Sequence, residues 1–246
     1  MKQNKYDDPN FFNKYSQMPR STGGLESAGE WHILKNMLPN FENKNVLDLG
    51  CGFGWHCRYA AQNNAKSVLG IDISNKMLEK AMSQTNDKKI RYECNSMEDV
   101  DLPSNKFDVV ISSLAFHYVK DFNDICKKIY NSMTYNGDFI FSVEHPIFTA
   151  NNEQDWYYNE NGEIQHWPVD NYQYEGIRTP KFLGEEVIKY HRTLETYINT
   201  LIQNGFVITK ISEPIPPDYM IDNLPGFKDE LRRPMFLMIS AKKINF

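Results

Sequence analysis

The spacing of apolar residues divides the chain into a regular part and an irregular part. Leu25, Ala28, Trp31, Ile33, Leu34 and Leu38 share one broad helical face that Pro39 ends. Asn45 to Gly50 then reads as a short apolar strand stopped by glycines, followed by a helix through Arg58, Tyr59 and Ala60. The pattern repeats with a strand from Ser67 to Ile73 and a helix through Met77, Leu78 and Ala81, for which Ser74 is a suitable N-cap. Ile90 to Cys94 predicts a third strand. Phe107 to Ser113 is apolar enough to predict a strand buried on both faces. Phe122, Ile125, Ile129 and Met133 mark a helix closed near Gly137, and Asp138 to Val143 a fifth strand. Such alternation predicts a doubly wound α/β fold: a Rossmann-like, mostly parallel sheet with helices on both faces and ligands at the carboxyl ends of its strands.

The regularity stops at Pro146. From there to Lys189 the chain scatters Phe148, Trp156, Tyr157, Tyr158, Trp167, Tyr172, Tyr174 and Phe182 among polar residues with no clean period. This stretch reads as an inserted cap. Leu194, Ile198, Leu201 and Ile202 mark a last helix with Gly205 as its C′ residue. Phe206 to Ile211 and Met235 to Ala241 read as two strands joined by a loop rich in proline (Pro214, Pro216, Pro217, Pro225). With no crossover helix spanning that loop, the pair predicts an antiparallel hairpin at the sheet edge. The expected organisation is one domain over residues 1–246, with 1–24 as an N-terminal arm and 146–189 as the insertion.

Composition narrows the function. A chain of 246 residues, 41% hydrophobic, can bury one α/β core. A formal charge of −5 gives no broad basic field, so neither nucleic acid nor an anionic membrane is an expected partner. Cys51, Cys57, Cys94 and Cys126 form no CxxC, which points to reduced thiols in a cytoplasmic protein with no disulfide framework and no metal site. The polar N-terminus and the lack of a long apolar window predict neither a signal peptide nor a membrane span.

The densest chemistry lies in Val46-Leu-Asp-Leu-Gly-Cys-Gly-Phe-Gly54. Glycines at a strand-to-helix turn let backbone approach a ligand where a Cβ would collide. A nicotinamide fingerprint needs G-x-G-x-x-G, but here the third glycine falls at 54 and Trp55 occupies the expected place. Asp48, two residues before the first glycine, suits a ligand with a positive group. Asp72 ends the second strand, where a carboxylate can accept hydrogen bonds from both ribose hydroxyls, or simply cap the next helix. A ligand with a ribose and a cation follows from these positions.

These residues resemble the class I S-adenosylmethionine-dependent methyltransferases, in particular the broad bacterial group that includes ubiquinone and menaquinone biosynthesis enzymes. The resemblance runs from about Trp31 to Phe141. It rests on VLDLGCGFG at 46–54, GIDIS at 70–74, Asn95-Ser-Met-Glu98 followed by Leu102-Pro103, and FDVVISSLAFHYV at 107–119. It implies the strand order 3-2-1-4-5-7-6 and S-adenosylmethionine as cofactor, with S-adenosylhomocysteine as product. It also implies that Asp48, Gly50, Cys51 and Gly52 hold the methionine part, and that Asp72 holds the ribose with Ile73 and Met77 beside it. Asn95, Ser96 and Met97 would lie by the adenine, and Ser113 and Leu114 beneath the sulfonium. Tyr15 and Arg20 of the arm are placed at the cofactor carboxylate. Asn95 departs from the family, which often has Asp there; an amide still pairs with adenine.

A sulfonium methyl is already electrophilic, so the protein has to align the acceptor and exclude water. His117 is the first candidate for a general base, the alternative being a residue that shapes the pocket. Glu144 and His145 follow the fifth strand and either bind an acceptor or bond to loop backbone. His191, Arg192, Arg232 and Arg233 read as solvated, and His56 as structural. The aromatic insertion either walls the pocket of a small-molecule acceptor or makes a homodimer contact. The expected activity is methyl transfer to a small molecule by in-line displacement. A catalytically silent cofactor-binding module is the alternative, with a nicotinamide-dependent dehydrogenase behind it.

Overall fold

The computed structural model describes residues 3–244. Seven strands form its central sheet: β1 (Asn45–Leu49), β2 (Ser67–Asp72), β3 (Ile90–Cys94), β4 (Phe107–Ser113), β5 (Met133–Glu144), β6 (Phe206–Ser212) and β7 (Phe236–Lys243). Their order is 3-2-1-4-5-7-6. The first five strands are parallel, and β7 lies antiparallel between β5 and β6. This is the Rossmann-like sheet with an antiparallel edge that the sequence predicts.

The helices used below are α1 (Pro9–Ser16), α2 (Trp31–Met37), α3 (Trp55–Gln62), α4 (Asn75–Ser83), α5 (Phe122–Ser132), α6 (Pro146–Ala150), α7 (Leu194–Gln203) and α8 (Asp218–Asn223). Side chains alternate across each strand, so the sheet has two apolar faces. Leu47, Leu49, Val110, Phe139, Phe141, Leu237 and Ile239 pack with α5 and α7 on one face. Val46, Val109, Ile111, Ile140 and Met238 pack with α2 and α3 on the other.

The structure departs from the sequence pattern in three main places. The helix expected from Leu25 to Leu38 splits into a 3-10 turn, Leu25–Ser27, and α2, with Gly29 in the turn between them. Helix α5 stops at Ser132 rather than near Gly137, because Met133 is fully buried in extended backbone and already begins β5. The register of β5 against β4 then slips between Phe107 and Val109, and Asn136 has positive φ. The proline-rich loop contains α8, which the sequence reading did not foresee.

The arm and the insertion are bonded to the sheet end and to each other. Asp7 Oδ1 accepts from Ser74 Oγ (2.6 Å) and from the Lys76 N–H (3.1 Å), and so caps α4 from a distant part of the chain. Ser74 in turn caps the same helix by accepting from Met77 N–H. On its other side the arm pairs Lys5 with Glu185 (2.9 Å) and donates from Lys14 to the Leu183 carbonyl. The insertion opens with α6 and continues as three small antiparallel pairings. Removing the Asp7 cap with Asp7→Ala should cost about 0.5–2 kcal/mol. Limited proteolysis should then cut within the arm before any other segment; unchanged stability and an unchanged cleavage order would show that the contact does not hold the arm.

Candidate active site

The carboxyl ends of β1, β2, β4 and β5 meet at one place because parallel strands all finish on the same edge. After β1 the chain turns at Gly50, where φ is +75° and an added Cβ would stand 2.4 Å from the Ala115 Cβ. Gly50 and Cys51 both donate N–H to the Ile71 carbonyl, at 2.8 and 3.0 Å, which ties this turn to β2. Asp72 completes the tie, accepting from the Gly52 N–H (2.8 Å) and from the Ser74 N–H (2.9 Å), one on each carboxylate oxygen. Burial pushes the Asp72 carboxyl up, and the N–H groups of Ser74 and Gly52 oppose that.

Beyond β4, Leu114 has φ +53° and donates its N–H to the Ser142 carbonyl at 2.9 Å. A branched side chain at positive φ is strained, and such strain concentrates at functional sites. His117 follows, buried at 2% exposure. Burial pulls its pKa down to about 4, so its imidazole is neutral at physiological pH. The His117 Nδ1 accepts the Glu144 N–H at 3.4 Å, which assigns the proton of the neutral ring to Nε2 and makes that nitrogen a donor. Glu144 pairs with the buried Lys189 ammonium at 2.5 Å and also accepts from Gln154. Burial alone would raise its carboxyl, but the Lys189 ammonium and the hydrogen bonds from Lys189 and Gln154 hold it below the usual range.

A cavity of about 980 Å³ joins these groups. Tyr15, Arg20, Gly50, Cys51, Gly52, Asp72, Ile73, Met77, Asn95, Ser96, Met97, Ser113 and Leu114 all line it, as do His117 and Glu144. Two candidates stand elsewhere. Asp48 is behind the glycine turn at 1% exposure, with Oδ2 accepting from the Cys57 thiol at 3.2 Å and Oδ1 without a partner. It points into the layer beneath because it lies within β1, not at its end. Burial pushes its pKa up to about 7. His145 caps α6 through Nδ1 and donates from Nε2 to Glu213 at 2.8 Å. Extended backbone at this point sends consecutive side chains to opposite sides, so Glu144 reaches the cavity and His145 does not.

Several residues read as solvated or unassigned prove to be buried behind the cavity or to line it. Arg192 is 6% exposed and donates to the carbonyls of Phe116, Val119 and Lys120, fixing the turn that carries His117. Arg233 is held bidentately by Glu230 among the rings of Phe148, Trp156 and Trp167. His56 lines the cavity, and so do Trp156, Tyr190, Phe236 and Glu30, the last bonded to Arg20. No periodicity marks Glu30 or Phe236, since neighbours from distant elements create their surroundings.

A methyltransferase-domain family model matches residues 47–141. A solved structure from Listeria monocytogenes, assigned to the S-adenosylmethionine-dependent methyltransferases, is 55% identical, covers 90% of this chain and 100% of its own, and superposes with a TM-score of 0.86. The chain belongs to the S-adenosylmethionine-dependent methyltransferases. A second solved methyltransferase of this class, from Mesorhizobium loti, is 42% identical over 89% of this chain and 100% of its own, with a TM-score of 0.83. An uncharacterised protein of Haemophilus influenzae is 34% identical over 97% of this chain and 96% of its own length. The methyltransferase uses S-adenosylmethionine as its cofactor. Among the described residues, no helix is long and apolar enough to cross a membrane.

The buried Asp48 carboxyl has a consequence for stability. A folded pKa near 7 exceeds the unfolded value of about 3.9, so its contribution is full below that value and is lost as pH rises through 7. In the cofactor-free methyltransferase, Asp48→Asn should therefore raise Tm by roughly 2–6 °C above neutrality, and by little near about pH 4. Thermal scans at both ends of that window check this. A gain larger on the acid side would reverse the sign and refute it.

Proposed function

We propose that this methyltransferase moves the methyl group of S-adenosylmethionine to a small organic acceptor enclosed beside the cofactor, by in-line displacement. The observation that carries the reading is the continuity of the cavity. It runs from the glycine turn, past Leu114 and His117, to Glu144, Trp156, Phe182 and Tyr190. At about 980 Å³ it stands at the upper end of small-molecule sites, which span roughly 300–1,000 Å³, and has room for cofactor and acceptor together. The arm 1–24 and the insertion 146–189 serve a single domain as walls of that space. A net charge of −5 supports a small acceptor over a polyanion.

The lining fits the cofactor. Gly52 leaves open space on its ligand side, where an added Cβ would find only the Met77 Cε at 3.7 Å. The Asp72 oxygens each hold one N–H and keep a lone pair for a ribose hydroxyl. Arg20, steered by its bond to Glu30, is suited to the cofactor carboxylate, with Tyr15 beside it. Asn95, Ser96 and Met97 form the adenine end, and Gly50, Cys51, Ile73, Met77, Ser113 and Leu114 the floor. Bound there, the cofactor supplies an electrophilic methyl. The chain's own work is to hold the acceptor against it, to keep water out with the aromatic walls, and to present the His117 Nε2–H and the Glu144 carboxylate to the acceptor.

Titration calorimetry with S-adenosylhomocysteine tests the reading. Wild type should bind in the micromolar range, and Asp72→Ala should weaken binding about 10- to 100-fold, as expected for hydrogen bonds to a charged group. Absence of binding to wild type would remove the proposal, while equal binding by the variant would remove Asp72 from the ribose site. Labelled cofactor mixed with a metabolite extract should yield a labelled small product. Label found only in cofactor breakdown would favour a silent binding module.

A further inference from the structure

We infer that the acceptor is an amine, and that the methyltransferase forms a carbon–nitrogen bond. The inference rests on the function proposed above and adds the chemical class of the substrate. It comes from the acceptor end of the cavity, where the wall is acidic and aromatic while its balancing cations stand behind it. Glu144, Asp229 and Glu230 line the space. Their partners Lys189, Arg232 and Arg233 do not; they bond to the carboxylates from outside, at 2.5, 2.9 and 2.7 Å. The acidic member of each pair borders the space and the basic member does not. Trp156, Phe182, Tyr190, Phe227 and Phe236 complete this part of the wall. Ring faces and carboxylates together favour a positively charged group. The cations on the cavity wall are engaged or peripheral: Arg20 is bonded to Glu30, Lys5 to Glu185, and Lys120 is exposed at the end of the 116–120 turn.

Proton bookkeeping separates the acceptor classes. A phenol, an alcohol or a carbon acid attacks only after losing a proton, either to a base in the site poised near neutrality or to water beforehand, in which case it enters as an anion facing Glu144, Asp229 and Glu230. Neither histidine of the cavity wall is so poised. His117 has Nδ1 occupied by the Glu144 N–H and a pKa pulled to about 4 by burial, and His56 is pulled to about 4 for the same reason. Glu144 is held below the ordinary carboxylate range, and burial raises the phenols of Tyr6, Tyr15 and Tyr118. Asp72 lies at the cofactor end with both oxygens bonded to backbone. A thiolate or carboxylate acceptor would carry negative charge toward Glu144, Asp229 and Glu230.

An amine meets none of these obstacles. It releases its proton to water before the transfer and attacks as a neutral lone pair. The carbon–nitrogen bond forms as the carbon–sulfur bond breaks, and the bonding pair stays on sulfur as the thioether. The positive charge passes from sulfur to nitrogen, so no base is required in that step. Glu144 stabilises the charge where it arrives.

The test uses the intact protein with methyl-labelled S-adenosylmethionine, a metabolite extract, and a panel of alkyl and aryl amines, phenols, thiols and carboxylic acids, with mass spectrometry to identify the atom that receives the label. Label on nitrogen is expected. For the best amine, kcat/KM should rise about tenfold per pH unit up to the amine's own pKa, with no bend near about 6.5. Glu144→Gln should lower kcat/KM at least tenfold while S-adenosylhomocysteine binding stays within about twofold, which shows that the variant is folded. If Glu144→Gln fails to bind, Glu230→Gln replaces it, with a smaller loss expected of the same kind. Label on oxygen, sulfur or carbon would overturn the amine assignment alone, as would a bend near 6.5 that disappears in His117→Ala. Binding of S-adenosylhomocysteine with no transfer to any acceptor would overturn both this inference and the proposed function.

Discussion

Burial of the sheet on both faces is the constraint from which the rest of the structure follows. Val109 and Ile111 face one side and Val110 the other, all of them excluded from water. Polar groups cannot be placed along such strands without losing their hydration. Chemistry is confined to the strand ends, where Asp72, Ser113 and Glu144 stand. Asp48 shows the cost of departing from that rule: one residue short of the end of β1, it is a buried carboxyl whose Oδ1 has no partner.

The same constraint explains how the irregular segments are attached. The insertion has little periodic apolar surface of its own, so hydrophobic burial alone does not hold it. Buried cations do much of this instead. Arg178 ties the insertion together by donating to the carbonyls of Ala150 and Tyr174, Arg192 just after it donates to those of the 116–120 turn, and Arg233 lies among three of its rings. Arginine suits this use because it stays charged and presents five donors in a fixed plane. The Arg192 contacts also set the backbone of His117, so the attachment of the insertion and the geometry of the site are one arrangement. Lys189 serves likewise, joining the insertion to Glu144 at the end of β5.

Electrostatics then divides the cavity into two ends. Around the glycine turn the Asp72 carboxylate accepts from the backbone N–H groups of Gly52 and Ser74. Around Glu144, Asp229 and Glu230 the wall is acidic and aromatic, and the cations paired with these acids do not border the space. Neither end has a stretch of sequence to itself, and both are assembled from the arm, the strand ends and the segments that follow them.

The strands themselves, the glycine turn, the acid after β2 and the C′ glycine Gly205 were legible in the sequence, because each depends on neighbours within a few residues: periodicity, positive φ, or a cap; the order of the strands came with the methyltransferase resemblance. The split at Gly29, the early end of α5 and helix α8 were not, since in each case a distant surface decides where the chain may turn. The same division holds for the site. Strand-end positions such as Asp72 and Leu114 follow from local pattern, and so did the methyltransferase resemblance. That Glu144 faces the cavity while His145 caps α6, that His117 is a donor, and that Arg192 and Arg233 are buried were decided only by tertiary structure. A side chain's direction, proton affinity and partners depend on what packs against it, and here those neighbours come from elsewhere in the chain.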